Sequence, residues 1–194
     1  FLNLDTGATY RCVALATLKN NVKLEEIEKI IQIANEINIE IDNTQEKDII
    51  LLNGEDVSKE IRSKEVTAIV SQISSIIPVR EKMVEVQRKL ATGKNVIVEG
   101  RDIGTVVFPN ADLKIYLDAS EEIRAKRRYK EYLEKGLEVN FDDIKKDLIR
   151  RDDYDSHREV DPLVKASDAI EVNTDDKNIE ETIELMLSYI NGDK

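Results

Sequence analysis

Four consecutive residues, Glu99-Gly-Arg-Asp102, close a short apolar run from Val96 to Val98. Their types suit a polyanion. Glycine lets a backbone approach a ligand closely, arginine offers a planar fork for phosphate or carboxylate, and aspartate accepts hydrogen bonds. Apolar runs of this length, bounded by turn residues, read as fully buried strands of a parallel sheet. A second run, Leu113-Lys-Ile-Tyr-Leu117, follows and stops at Asp118. In open α/β sheets the ligand lies beyond the carboxyl ends of the strands, where Gly100, Arg101 and Asp102 fall.

The opening segment offers related chemistry. Phe1-Leu-Asn-Leu-Asp5 reads as a strand leading into Thr6-Gly7, and a helix follows from about Ala8 to Leu18. Free N–H groups at a helix N-terminus bind anions, and Arg11 lies one turn in. A capped helix with a solvated arginine accounts for these residues equally well. Ser71 and Arg80 are weaker signals singly, since an arginine after a helix break is ordinarily a surface charge. His157, the only histidine, has no evident Asp or Ser partner pattern and reads as a surface residue, not a base. Cys12 reads as a small buried core residue.

The elements that must position these residues follow from periodicity. Leu24, Ile27, Ile31 and Ala34 share one helix face. Ile37, Ile39 and Ile41 alternate with polar residues, and Ile49 to Leu52 runs into the turn signal Asn53-Gly54, so residues 37–57 predict a small antiparallel β insertion. Ser58 is expected to cap a helix carrying Ile61, Val66, Ile69, Ile73 and Ile76, with Pro78 marking a break and Gly93 closing the next helix. Ser120 opens a helix ending near Gly136, and Asn140 caps another that ends in the charge-dense Arg150–Arg158. A strand at 169–172 and an apolar stripe of Ile179, Ile183, Met186, Leu187 and Ile190 complete the chain. Helices alternating with strands give an α/β fold, a parallel sheet with covering helices.

Bulk properties narrow the function. The 194 residues suit one domain with small insertions, and a net charge of −11 argues against a nucleic acid polymer or an anionic membrane as partner. Yet six of the eleven arginines (Arg124, Arg127, Arg128, Arg150, Arg151, Arg158) fall between residues 124 and 158. A local arginine cluster in an acidic chain suits a small polyanion. A single cysteine excludes an internal disulfide and fits a reducing cytoplasm. No apolar run reaches transmembrane length and no signal peptide is evident.

Asp5-Thr-Gly-Ala-Thr-Tyr-Arg11, Ile76-Ile-Pro-Val-Arg80, Glu99-Gly-Arg-Asp-Ile-Gly-Thr-Val-Val-Phe-Pro109 and Arg150-Arg-Asp-Asp-Tyr-Asp-Ser-His-Arg158 together resemble the bacterial cytidylate kinases. The resemblance spans essentially the whole chain in the same order, and the Glu-Gly-Arg-Asp-x-Gly-Thr block is specific. It implies a P-loop nucleoside monophosphate kinase fold with a three-layer core (1–36, 73–126 and 159–194), an acceptor-binding insertion at 37–72 and a helical lid at 127–158. It implies transfer of a phosphoryl group from ATP, with Mg2+, to CMP or dCMP, by a cytoplasmic monomer. Thr6 and Arg11 would hold the CMP phosphate, with Thr6 standing where some relatives have serine. Ser71, Arg80 and Asp102 would read the cytosine edge, and Asp155 the ribose hydroxyls. Arg101 and Arg158 would contact phosphates near the transferring group, and the lid arginines, among them Arg128 and Arg151, would cover the ATP phosphates on closure. A solvated, salt-bridged helix is the plainer account of that lid segment.

One departure bears on the donor side. A P-loop needs Gly-x-x-x-x-Gly-Lys-Ser/Thr, whereas the only Gly-Lys here is Gly93-Lys94, with Arg88 five residues earlier and Asn95 after it. The resemblance places the P-loop just before Asp5-Thr-Gly, so roughly 25–30 residues of strand, loop and helix are expected upstream. Two rival readings remain at this point: a P-loop kinase for another small acceptor, and a nucleotide-binding module without catalysis.

Overall fold

The computed structural model describes residues 1–43 and 48–192. Strand β1 (Leu2–Asp5) pairs in parallel with β5 (Val96–Glu99), which sets Asp5 opposite Glu99 at their carboxyl ends. Strands β6 (Ile115–Asp118) and β7 (Ile170–Asn173) form a second parallel pair. Between these in sequence, β2 (Ile39–Asp42), β3 (Ile49–Leu52) and β4 (Glu55–Asp56) make a small antiparallel sheet. Its β3–β4 turn is Asn53-Gly54, both at positive φ (52° and 85°), the backbone that this dipeptide tolerates best. Residues 44–47 of the expected insertion lie outside the described residues. The fold is α/β, with parallel strands, covering helices and an antiparallel insertion.

The expectation of fully buried parallel strands needs correction. Ile97 on β5 is 54% exposed and Leu117 on β6 is 52% exposed. Among the described residues each parallel sheet has only two strands, so each strand keeps one unpaired edge.

The chain divides into two compact units, residues 1–108 with 158–162, and residues 109–157 with 163–194. In the first, α1 (Thr6–Lys19) is buried on nearly every side, as expected of a helix apolar all round. Its threonines escape the cost of buried hydroxyls by bonding back along the helix: Thr9 to the Thr6 carbonyl and Thr17 to that of Val13, both at 2.8 Å. The Asp5 carboxylate caps α1, accepting from the Ala8 amide at 3.2 Å. Helix α2 (Ile27–Glu36) packs on α4 (Ile77–Ala91), and α3 (Lys64–Ser75) packs on α1.

Ser58 does not cap a helix. Its hydroxyl donates to Asp56 at 2.6 Å and accepts from the Ile50 amide, which ties β3 to the segment after β4. Ile61 lies in a short 3-10 turn, Glu60–Arg62, and Ser63 caps α3 by accepting from the Val66 amide. The break expected near Pro78 falls at Ile76, whose backbone is extended, and Pro78 sits in the first turn of α4, where a missing N–H costs nothing.

In the second unit, α5 (Glu121–Glu134) starts at the Ser120 cap and packs on α6 (Phe141–His157). Helix α7 (Ile179–Ile190) opens with a reciprocal capping box between Asn178 and Glu181. Its apolar stripe is present, but none of its residues is buried, and Ile179 is 74% exposed. Among the described residues no helix is long and apolar enough to cross a membrane.

Candidate functional site

The parallel pairing of β1 and β5 brings two distant motifs side by side. Both strands end at one edge, so Thr6-Gly7 and Gly100-Arg101-Asp102 become neighbours. The Thr6 hydroxyl donates to the Glu99 carbonyl at 2.8 Å across this junction. A Cβ on Gly100 would stand 2.1 Å from that hydroxyl oxygen and 2.7 Å from Ile103, so only glycine fits here. Beyond it a π-helical turn, Ile103–Val107, bonds back to the Asp102 carbonyl and is held by Arg88, which donates to the carbonyls of Val106 (2.7 Å) and Val107 (2.9 Å).

Asp102 points into a buried ionic cluster. Arg80, on the buried face of α4, is only 1% exposed. Its Nη2 donates to Asp102, its Nε to Asp161 at 3.0 Å, and its Nη1 to the Ser74 carbonyl at 3.0 Å. Arg158 closes the cluster: its Nη2 is 3.6 Å from the Asp102 carboxylate, and its Nε donates to the Asp161 carbonyl at 2.5 Å. Two guanidiniums and two carboxylates thus form a ring with no net charge. Burial opposes the charge on Arg80, but Tyr10, Asp102 and Asp161 around it more than offset that, and it holds its proton more firmly than usual.

The Arg80 guanidinium lies over the ring of Tyr10, 5.5 Å from its centroid. The Tyr10 hydroxyl is buried and has no hydrogen-bond partner among the described residues. Burial, tempered by Arg80, pushes its pKa up to about 12, so it remains a neutral donor at any working pH. Arg11 reaches a different set of groups, donating to the Ile61 carbonyl and the Thr67 hydroxyl, both at 3.0 Å. Ser71 lies half-buried on α3, its carbonyl accepting from the Ser74 hydroxyl at 3.0 Å. Arg101 is half-buried beside Asp102 in the chain. Seven of the residues singled out from the sequence (Thr6, Arg11, Ser71, Arg80, Arg101, Asp102, Arg158) therefore belong to the first unit.

Arg128, Arg151 and Asp155 belong to the second. Arg128 lies along α5, paired with Glu131 at 3.1 Å and stacked 4.9 Å over Tyr132. On α6, Arg151 comes within 3.8 Å of the buried Asp155 carboxylate, and the Asp155 carbonyl accepts from the Leu163 amide. Arg127 donates to the Thr174 hydroxyl and to the carbonyls of Thr174 and Lys177, while Arg124 pairs with Asp152. Against expectation His157 does have a partner, Asp153 one turn earlier at 3.1 Å, because α6 continues through both residues; the pair is exposed, as a surface histidine should be. Cys12 is buried, and burial pushes its thiol up to about 12.

Sequence reading missed Tyr10, Asp161 and Gln87. Tyr10 carried a signal, lying one turn after Thr6 on the same face of α1. Gln87 lies two turns beyond Arg80 on the buried face of α4 and donates to the Thr9 hydroxyl at 2.8 Å. Asp161 had no local signal, because its partner Arg80 is 81 residues away in the chain.

Parallel strands thus deliver a helix N-terminus, a close-approach glycine and a buried arginine–aspartate pair to one edge, and a family match over the whole of this framework makes the chain a nucleoside monophosphate kinase. The family model described as cytidylate kinase matches residues 1–192. A cytidylate kinase of Fusobacterium nucleatum is 45% identical over 190 residues, 98% of this chain and 85% of that protein. One of Clostridium acetobutylicum is 43% identical over 187 residues (96% and 84%), and one of a Geobacillus species 43% identical over 191 (98% and 85%). The chain belongs to the cytidylate kinase family.

Proposed function

We propose that this enzyme transfers the γ-phosphoryl group of ATP to CMP or dCMP, giving CDP or dCDP and ADP, and that it acts as a cytoplasmic monomer. Family membership supports the reaction over the non-catalytic module. The observation that carries the choice of acceptor is the buried Arg80–Asp102 pair beside Thr6. A carboxylate accepts from the exocyclic amine of cytosine. Uracil would set a carbonyl oxygen against that carboxylate, acceptor facing acceptor, at a cost of about 1–3 kcal/mol.

In this reading Ser71, Arg80 and Asp102 hold the base, Asp155 the ribose, and Arg11 with the free amides at the start of α1 the acceptor phosphate. The Thr6 hydroxyl has one proton, now given to Glu99, and must rotate to serve the phosphate as donor. An oxygen of the acceptor phosphate attacks the γ-phosphorus as the bond to the β,γ-bridging oxygen breaks, with no covalent intermediate. Arg101, Arg128, Arg151 and Arg158 neutralise the transferring group, and residues 127–158 act as the lid that excludes water, beside an acceptor insertion at 37–72 and a core of the remaining residues. Mg2+ would be carried on the ATP phosphates, where it would neutralise part of their charge, in keeping with its preference for phosphate oxygens and water. A coupled assay across CMP, dCMP, UMP and AMP tests the reading. CMP and dCMP should be the best acceptors; UMP as the best would overturn the assignment of the base site.

A further inference from the structure

We propose that Asp161 is a positioning residue for the acceptor site: by fixing the plane of the Arg80 guanidinium it sets the preference for cytosine over uracil. The inference rests on the base-site reading above and deepens it. Arg80 is gripped by acceptors from three separate parts of the chain: the Ser74 carbonyl at the end of α3, Asp102 after β5, and the Asp161 carboxylate. Only Asp161 takes Nε, the donor that defines how the fork is turned about its stem. The same residue offers its carbonyl to Arg158, so side chain and backbone hold one arginine each.

Its backbone is unusual as well. Asp161 has φ 51°, left-handed, and precedes Pro162, a conformation that aspartate, asparagine and glycine tolerate better than other residues. Strained residues of this kind gather at binding sites, where the surroundings hold them in place.

Without the Asp161 carboxylate, Nε would be a charged donor left unpaired in a buried place. The guanidinium would turn toward the carboxylate that remains, Asp102, and occupy the lone pairs that the cytosine amine needs. Affinity for CMP would then fall, while UMP, which gains nothing from that carboxylate, would be little affected. Discrimination suffers more than binding in general.

Calorimetric titration of the intact protein with CMP, UMP and ATP, alongside thermal unfolding, tests this with two variants. Asp161→Asn keeps the backbone preference and one acceptor but removes the charge. Asp161→Gly relaxes the backbone and removes the side chain, so a purely conformational role would leave it as selective as the wild type. The CMP-to-UMP affinity ratio should fall about threefold in Asp161→Asn and about tenfold in Asp161→Gly, with ATP affinity unchanged in both. A wild-type ratio in Asp161→Gly, or in Asp161→Asn should Asp161→Gly not fold, would overturn the proposal. Absence of any CMP preference in the wild-type protein would overturn the base-site reading itself, and this inference with it.

Discussion

The chain uses arginine and aspartate in two ways. In the first unit, Arg80, Arg158 and Asp102, all with buried side chains, and the partly exposed Asp161 form a ring in which every charge faces an opposite one. In the second, α5 and α6 carry comparable residues in pairs along their own surfaces, such as Arg150 with Asp147 and Arg128 with Glu131, largely open to solvent. Burial separates them. Charges out of water are held in one geometry, because any rearrangement leaves one of them uncompensated. Exposed pairs exchange freely with water and other anions. The first arrangement suits recognition of a fixed base edge, and the second suits side chains that change partner when a polyphosphate arrives.

The two regions should differ most at Arg80. Arg80→Ala strands Asp102 as a buried carboxylate, takes the paired arginine from the partly exposed Asp161, and should cost about 3–5 kcal/mol, measured by denaturant unfolding. Arg80→Lys should recover little, since an ammonium cannot serve three acceptors spread around a plane. A loss below about 1 kcal/mol would mean the ring contributes no more than a surface pair.

The next effect is alkaline. Tyr10 is held up to about 12 by burial, well above its ordinary value near 10, and Cys12 to about 12 from near 9. Both are acids whose neutral forms the fold favours. Their contribution is therefore complete below the unfolded values and is lost as pH rises through 9 to 12. For Tyr10 this amounts to roughly 2–3 kcal/mol, so Tyr10→Phe should flatten much of the fall in unfolding free energy over that range. An unchanged alkaline slope in the variant would contradict the burial account.

A smaller loss is expected at the strand junction. Gly100→Ala drives a methyl into Thr6 and should cost about 1–3 kcal/mol. Adding Thr6→Ala should recover part of this, because removing the hydroxyl opens the space, though Ile103 remains close. Simple additivity in the double variant would show that the two residues do not press on each other.

The smallest stability effects belong to the exposed helices. Arg150→Ala should change unfolding free energy by only about 0.3–0.5 kcal/mol. Amide exchange across 127–158 should be faster than in α1 without nucleotide and should slow when nucleotides bind. Exchange in that segment equally slow with and without them would remove the contrast between the two regions.

Much of this was legible in the residues. Glu99-Gly-Arg-Asp102 after a short apolar run foretold the end of a parallel strand, since turn chemistry and apolar patterning are local. Asn53-Gly54 and the caps Ser120 and Asn140 were legible for the same reason. Ser58 misled because its hydroxyl found partners across the small sheet, Asp56 and Ile50, which no local rule anticipates. Strand exposure was also misread: an apolar run reports what a strand can bury, while the elements packed on its faces decide what it does bury. The ring around Arg80 joins residues 80, 102, 158 and 161, and only the fold reveals which of several acidic residues meets it.

The central claim is that Asp102 reads the acceptor base. It is tested most directly by calorimetric titration of wild-type and Asp102→Ala protein with CMP and with ATP. The variant should lose CMP affinity by about ten- to a hundredfold, with ATP affinity nearly unchanged. A greater loss of ATP affinity than of CMP affinity would contradict it and would assign Asp102 to the metal-bound donor phosphates instead.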